Sequence, residues 1–156
     1  MAEQPPLGPA RHRYACHVRF SDVDVYGHVN NVKYFEYYQE ARIAFLLARA
    51  GELYDPESTH RQVVARIDVD YRRPLLFRPE PYAVETTVTR VGTSSYDLAC
   101  RIVDPAADPE GPGEPGTVFS TAQVRMVAFD TGSGRSRPLT REERSRLEEA
   151  LGPRAC

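Results

Sequence analysis

Residues 20–42 read FSDVDVYGHVNNVKYFEYYQEAR, and the change of pattern inside this stretch decides the fold. Its first half, Ser21 to Asn30, is a run of turn-formers and polar residues: Ser, Asp, Asp, Gly, His, Asn. After Asn31, apolar residues recur at the helical period, with Tyr34, Tyr38, Ala41, Phe45 and Ala48 in one stripe. Asn31 is an N-cap candidate, because its side-chain oxygen can accept an otherwise unpaired amide of the first turn. A helix from there to Ala50 is about 30 Å long at about 1.5 Å per residue. Asp22, Asp24 and His28 therefore fall in a loop feeding the positive end of a long helix. A carboxylate beside free backbone amides supplies the parts needed to attack and polarise a carbonyl group.

Working outward, residues 14–20 alternate as a first strand, with Cys16, Val18 and Phe20 on one face. The Pro-rich residues 1–12 are expected to form a loose tail. On the other side of the helix, Gly51 suits the C-prime position, and Asp55-Pro56 and Ser58 mark a connection. Residues 62–73 then alternate strictly: Val63, Ala65, Ile67, Val69 and Tyr71 form an apolar face, and Pro74 ends the run. Runs 82–91 and 95–103 flank Gly92-Thr93-Ser94 as a hairpin. A last strand, 117–129, puts Val118, Ser120, Ala122, Val124, Met126 and Ala128 on one face. The intervening 104–116, DPAADPEGPGEPG, reads as a solvated extension. Residues 131–138 are a basic Gly/Ser turn region, and Thr140 with Glu143 makes a capping box. The short, charge-dense helix that follows, with Leu147 and Leu151 four apart, reads as a surface strut. Periodicity alone yields an α+β chain with an antiparallel sheet.

Composition limits what such a chain does. Its 156 residues support one domain with a real core. A net charge of −2, with no basic run, argues against nucleic acid as the main partner. No apolar run approaches the roughly 18 residues of a membrane span, and the first residues lack the apolar core of a signal peptide, so a cytoplasmic location is expected. Cys16, Cys100 and Cys156 are too widely spaced for a metal or redox motif, and the two inside strand-like runs read as small buried hydrophobes.

The central stretch resembles the 4-hydroxybenzoyl-CoA thioesterase family. The family pattern is a strand, D-x-D-x-x-G, then N-x-x-Y and an E-A-R-like end on the helix. Here these are Asp22, Asp24, Gly27, Asn31, Tyr34, Glu40, Ala41 and Arg42. The GHVNN version is most similar to the long-chain acyl-CoA thioesterase branch, and D-Y-x-x-P-L recurs at Asp70, Tyr71, Pro74 and Leu75. The Gly-Asp usual just afterwards is replaced around Arg78-Pro79-Glu80. The resemblance implies a hotdog fold: an antiparallel five-stranded sheet wrapped around one long helix, here followed by a short C-terminal helix. It gives a loose tail at 1–12, a hotdog domain at 13–130 and a C-terminal turn and helix at 131–156. It also implies acyl-CoA as substrate, a homodimer or homotetramer with sites between subunits, no cofactor and no metal.

On this pattern Asp24, the second Asp of D-x-D, is the catalytic carboxylate, as nucleophile or as base for a water. Asp22 is structural. A first-turn amide has no intrahelical acceptor, so the Asn31 amide is the proposed oxyanion donor. His28 is either a proton relay or a plain loop histidine, and a Cys–His pair or an Asp22/Asp24/His28 metal set are rival uses of the same residues. Other hotdog thioesterases carry their carboxylate on the helix, which makes Glu40 the reserve candidate. Tyr34 is a candidate for substrate contact. The turn RVGTSS corresponds to the region that holds the CoA nucleotide, giving Arg90, Ser94 and Ser95, although turn chemistry explains the serines equally well. The expected reaction is hydrolysis of an acyl-CoA to free acid and CoA. The alternative is a non-catalytic acyl-thioester-binding or scaffold protein; a hydratase lacks its usual Asp/His helix motif here.

Overall fold

The computed structural model describes residues 11–50, 57–105 and 117–151. Gly51, Asp55-Pro56, Cys156 and most of the 104–116 extension lie outside them. The elements in order are β1 (His12–Cys16), α1 (Lys33–Ala50), β2 (His60–Tyr71), β3 (Tyr82–Val91), β4 (Ser95–Val103), β5 (Val118–Asp130), β6 (Arg135–Ser136) and α2 (Arg141–Glu149). The sheet runs β1-β3-β4-β5-β2, antiparallel throughout, with the two-residue β6 beside β5. One core joins Tyr34, Tyr38, Ala41 and Phe45 of α1 to the inward residues of the strands. This is the expected α+β hotdog architecture, a long helix held against an antiparallel sheet. Among the described residues no helix is long and apolar enough to cross a membrane.

Local chemistry explains the parts that agree with the sequence. The β3–β4 hairpin closes through the Gly92 amide on the Ser95 carbonyl at 2.7 Å. A Cβ at Gly92 would stand 2.5 Å from the Arg90 guanidinium and 3.1 Å from that carbonyl, so a larger residue would have to push the guanidinium aside and crowd the turn. Ser120, Ala122, Val124, Met126 and Ala128 are all buried, which confirms the alternation of β5. Tyr38 crosses the core to donate to Ser120 Oγ at 2.6 Å, tying α1 to β5. Buried Glu85 accepts from Arg13 at 3.0 Å and Arg101 at 2.6 Å.

Four expectations are corrected. The first strand starts at His12 and stops at Cys16; a single 3-10 turn, Phe20–Asp22, bends the chain away and leaves Phe20 80% exposed. The buried stripe of α1 shifts to Leu46, and Ala48 is exposed. In β2 the register slips between Val64 and Arg66. Val64 therefore pairs with inward Met126 before the bulge and Ile67 with inward Val124 after it, which splits the predicted apolar face in two. Finally, α2 is more than a strut. Its Thr140–Glu143 capping box forms as expected, but Leu147 and Ala150 are buried. Arg146 donates to the Arg49 carbonyl at 2.9 Å, satisfying an end carbonyl of α1, and Arg144 donates to the Gly92 carbonyl at 2.6 Å.

Candidate active site

Residues 22–30 close on themselves as a small hairpin. Val23 and Val29 pair as an isolated antiparallel bridge, the Asp24 amide donates to the His28 carbonyl at 3.1 Å, and the Asn30 amide donates to the Asp22 carbonyl at 2.9 Å. Gly27 turns the tip at φ +79°, a left-handed angle that favours glycine. The Val29 amide donates to the Leu75 carbonyl at 2.9 Å, so the D-Y-x-x-P-L segment seats the loop. Leu75 in turn donates its amide to the Tyr34 hydroxyl at 3.1 Å.

Asp24 is half-buried. Its Oδ1 accepts from the Tyr26 amide at 2.9 Å and its Oδ2 from Asn30 Nδ2 at 3.3 Å. Two neutral donors thus fix the carboxylate, and among the described residues no cation pairs with it. Asn30 also accepts the Val32 amide on its own Oδ1 at 2.9 Å. This corrects the cap: Asn30, not Asn31, satisfies an amide at the helix entrance, because the helix begins at Lys33. Asn31 is exposed, its carbonyl accepts from the Tyr71 hydroxyl at 2.8 Å, and its amide makes no hydrogen bond among the described residues. Asp24, Asn30 and Asn31 are therefore brought into one entrance.

Asp22 is 1% exposed and belongs to a different network. Its Oδ2 accepts from the Tyr37 hydroxyl at 2.6 Å and the Arg19 amide at 3.0 Å, and Oδ1 lies 3.2 Å from the Arg19 guanidinium. Burial pushes its carboxyl up, but the Tyr37 and Arg19 bonds outweigh burial and hold it below the ordinary value. Tyr37 was missed from sequence; its place at i+3 from Tyr34 on the buried face was the available signal.

The other candidates fall elsewhere. His28 is exposed, with no side-chain hydrogen bond among the described residues. Tyr34 is buried and occupied by Leu75, which makes it a wall of the loop. Glu40 is exposed further along α1. Arg90 is engaged by Asp97 Oδ2 at 2.8 Å and Ser95 Oγ at 2.7 Å. Ser95 and Ser94 lie with it at the β3–β4 turn. That turn sits at the His60 end of the sheet, whereas Asn31 sits at the Tyr71 end, so a single chain does not bring them to Asp24. Burial pushes the Cys16 thiol up to about 12 and Cys100 up to about 11, which keeps both protonated and makes them poor nucleophiles. Among the described residues no cluster of metal-binding side chains forms. Around the loop mouth, Phe20, Val25, Tyr26, Val32 and Phe77 are exposed, with Phe20 edge-on to Phe77 at 5.7 Å.

A long helix against a β1-β3-β4-β5-β2 sheet is the hotdog fold, and similarity to known proteins places this chain among its thioester hydrolases. The chain belongs to the thioesterase-like superfamily, whose family model matches residues 18–150. It is 28% identical over 134 residues to the long-chain acyl-CoA thioesterase FadM of Escherichia coli K12, spanning 86% of this chain and 95% of that one. Among solved structures it is similar to the PA2801 protein of Pseudomonas aeruginosa, at 30% identity and TM-score 0.71 over 86% of this chain and 95% of that one. It is also similar to a Thermus thermophilus thioesterase complexed with coenzyme A and Zn, at 28% identity and TM-score 0.68 over 87% and 91% of the two chains.

Proposed function

We propose that the protein hydrolyses an acyl-CoA thioester to the free acid and CoA, with Asp24 as the working carboxylate. The observation that carries the reading is that one helix entrance holds the Asp24 carboxylate, with no cation on it among the described residues, and the Asn31 amide, with no acceptor among them. As a base, Asp24 takes a proton from water while the oxygen of that water attacks the thioester carbon. Negative charge gathers on the former carbonyl oxygen, where the Asn31 N–H donates to it. The C–S bond then breaks, and the thiolate leaves with a proton. As a nucleophile, Asp24 attacks the thioester carbon and expels the CoA thiolate as the C–S bond breaks, and water then opens the mixed anhydride to the free acid and the Asp24 carboxylate. The auxiliary role of proton carrier goes to His28, an exposed residue of the same loop whose carbonyl accepts from the Asp24 amide.

The assembly we propose is at least a dimer joined along β2. That strand ends the sheet with twelve residues and carries exposed Val63, Val64 and Tyr71. An unpaired edge of this length is a template for another strand. In an antiparallel pair the partner's His60 end lies beside this chain's Tyr71 end. The partner's Arg90, Ser94 and Ser95 turn then approaches the Asp24 loop and is the proposed holder of the CoA phosphates, with Tyr34 as a wall of the acyl site.

The test is thiol release, read with Ellman's reagent, across acyl-CoAs from short to long and from aliphatic to aromatic. Turnover of at least one class is expected. No release from any of them refutes the reading and favours a non-catalytic acyl-thioester binder.

A further inference from the structure

At the far end of α1 from Asp24 lies a cavity of about 450 Å³, between the last turn of α1, the start of β2, β4 and α2. Its walls include Leu46, Tyr96, Gln62, Arg137 and Arg49. It has the volume of a small-molecule site and greatly exceeds the roughly 30 Å³ of one water.

Three buried polar atoms here have no hydrogen-bond partner among the described residues: the Tyr96 hydroxyl, Gln62 Oε1 and Arg137 Nε. Tyr96 is 1% exposed, so water at the surface does not serve its hydroxyl. A buried polar group left unpaired is costly, and native chains rarely leave three together. The Gln62 amide is oriented by its Nε2, which donates to Glu143 Oε1 at 3.2 Å, so its oxygen is left to meet a donor. Arg137 is held on Glu143 at 2.8 Å, which turns its Nε inward.

Charge adds a second constraint. Setting aside Arg61, which is engaged by the Ser58 and His60 carbonyls, the described walls hold three arginines, Arg49, Arg137 and Arg146, and two glutamates. The glutamates are already paired, Glu143 to Arg137 and Glu142 to Arg146. Arg49 makes no side-chain hydrogen bond or ion pair among the described residues. Among these described groups one positive charge, that of Arg49, is left over, and a ligand balancing it is an anion.

We infer that this cavity is a second ligand site, for a small organic or inorganic oxyanion. The arginine side takes its charge, while the Tyr96 hydroxyl and the Gln62 carbonyl oxygen meet its other polar atoms. Thioester hydrolysis at Asp24 does not require such a site. A carboxylate and a phosphate share the chemistry, so the probes must separate them.

The experiment is calorimetric titration of the full chain with inorganic phosphate, coenzyme A and 3-hydroxybutyrate, repeated on Tyr96→Phe and Arg49→Gln. Tyr96→Phe deletes only an unpartnered hydroxyl, so its melting temperature should stay level or rise. At least one probe should bind saturably at one site per chain, and each variant should weaken that binding about fivefold or more. Phosphate or CoA responding identifies a phosphate ligand, and 3-hydroxybutyrate responding identifies a carboxylate. Turnover of acyl-CoA should be unchanged in Tyr96→Phe. The inference is overturned if no probe saturates, which leaves a water-filled cavity, or if both variants bind as the wild type does.

Discussion

Asp22→Asn separates the structural carboxylate from the working one. Asp22 is fully enclosed, and its Oδ2 accepts from the Tyr37 hydroxyl at 2.6 Å and the Arg19 amide at 3.0 Å. An asparagine keeps one acceptor oxygen and offers an amide group where the second oxygen stood. It also removes the charge that draws in the Arg19 guanidinium. Hydrogen bonds to a charged group contribute about 1.5–3 kcal/mol, so a loss of that size is expected. For a domain of this size the melting temperature should fall by about 3–12 °C. The pH dependence supplies a stricter check. The folded-state value of Asp22 lies below the ordinary 3.8, so its stabilisation is fully present above that value and is lost as pH falls through the folded value. The gap between wild type and Asp22→Asn should therefore be full at neutral pH and narrow on acidification below about pH 4. Thermal unfolding followed by circular dichroism at a series of pH values measures it. Equal melting temperatures at neutral pH, or a gap that does not change on acidification, would refute the reasoning.

Asn31→Pro removes the proposed donor amide and no observed hydrogen bond, so kcat should fall about 10²–10³-fold in a folded protein, by steady-state kinetics. Asn31→Ala should be nearly silent, whereas Asn30→Ala should cost about 1 kcal/mol in urea unfolding, because Asn30 receives the Val32 amide. Arg125 first, and then Arg90, hold the Asp97 carboxyl down to about 2, so that cluster should contribute stability above about pH 4 and lose it between there and pH 2; Asp97→Asn should erase that part of the acid titration of stability. Light scattering at micromolar protein should give at least a dimer mass, and a fully active monomer would contradict the β2 pairing.

What was legible in the sequence was whatever short-range chemistry controls. The β3 and β4 boundaries coincide with expectation because the short Gly92 turn sets where the two strands meet. The α2 capping box is likewise a four-residue pattern. The misses are all non-local. The bulge near Ala65 exists only in pairing with β5. The shift of the cap to Asn30 follows from the Val23–Val29 bridge, which holds the loop in a hairpin as far as Val29 and leaves a turn at residues 31–32 before the helix starts at Lys33. The separation of Arg90 and Ser95 from Asp24 follows from strand order, which no local pattern encodes. At the site, the motif indicated which loop to examine. The different environments of Asp22 and Asp24 emerged only once Tyr37 and Arg19 were seen on one and neutral donors on the other.

The most direct measurement is kcat for Asp24→Asn beside Asp22→Asn and Glu40→Gln, on whichever acyl-CoA the wild type turns over best. An amide neither attacks a thioester well nor accepts a proton from water, so kcat of Asp24→Asn should fall at least about 10²–10⁴-fold while acyl-CoA binding persists. Folded Asp22→Asn and Glu40→Gln should keep most of theirs. Near-normal kcat in Asp24→Asn, with a large loss in either of the other two, would contradict the account.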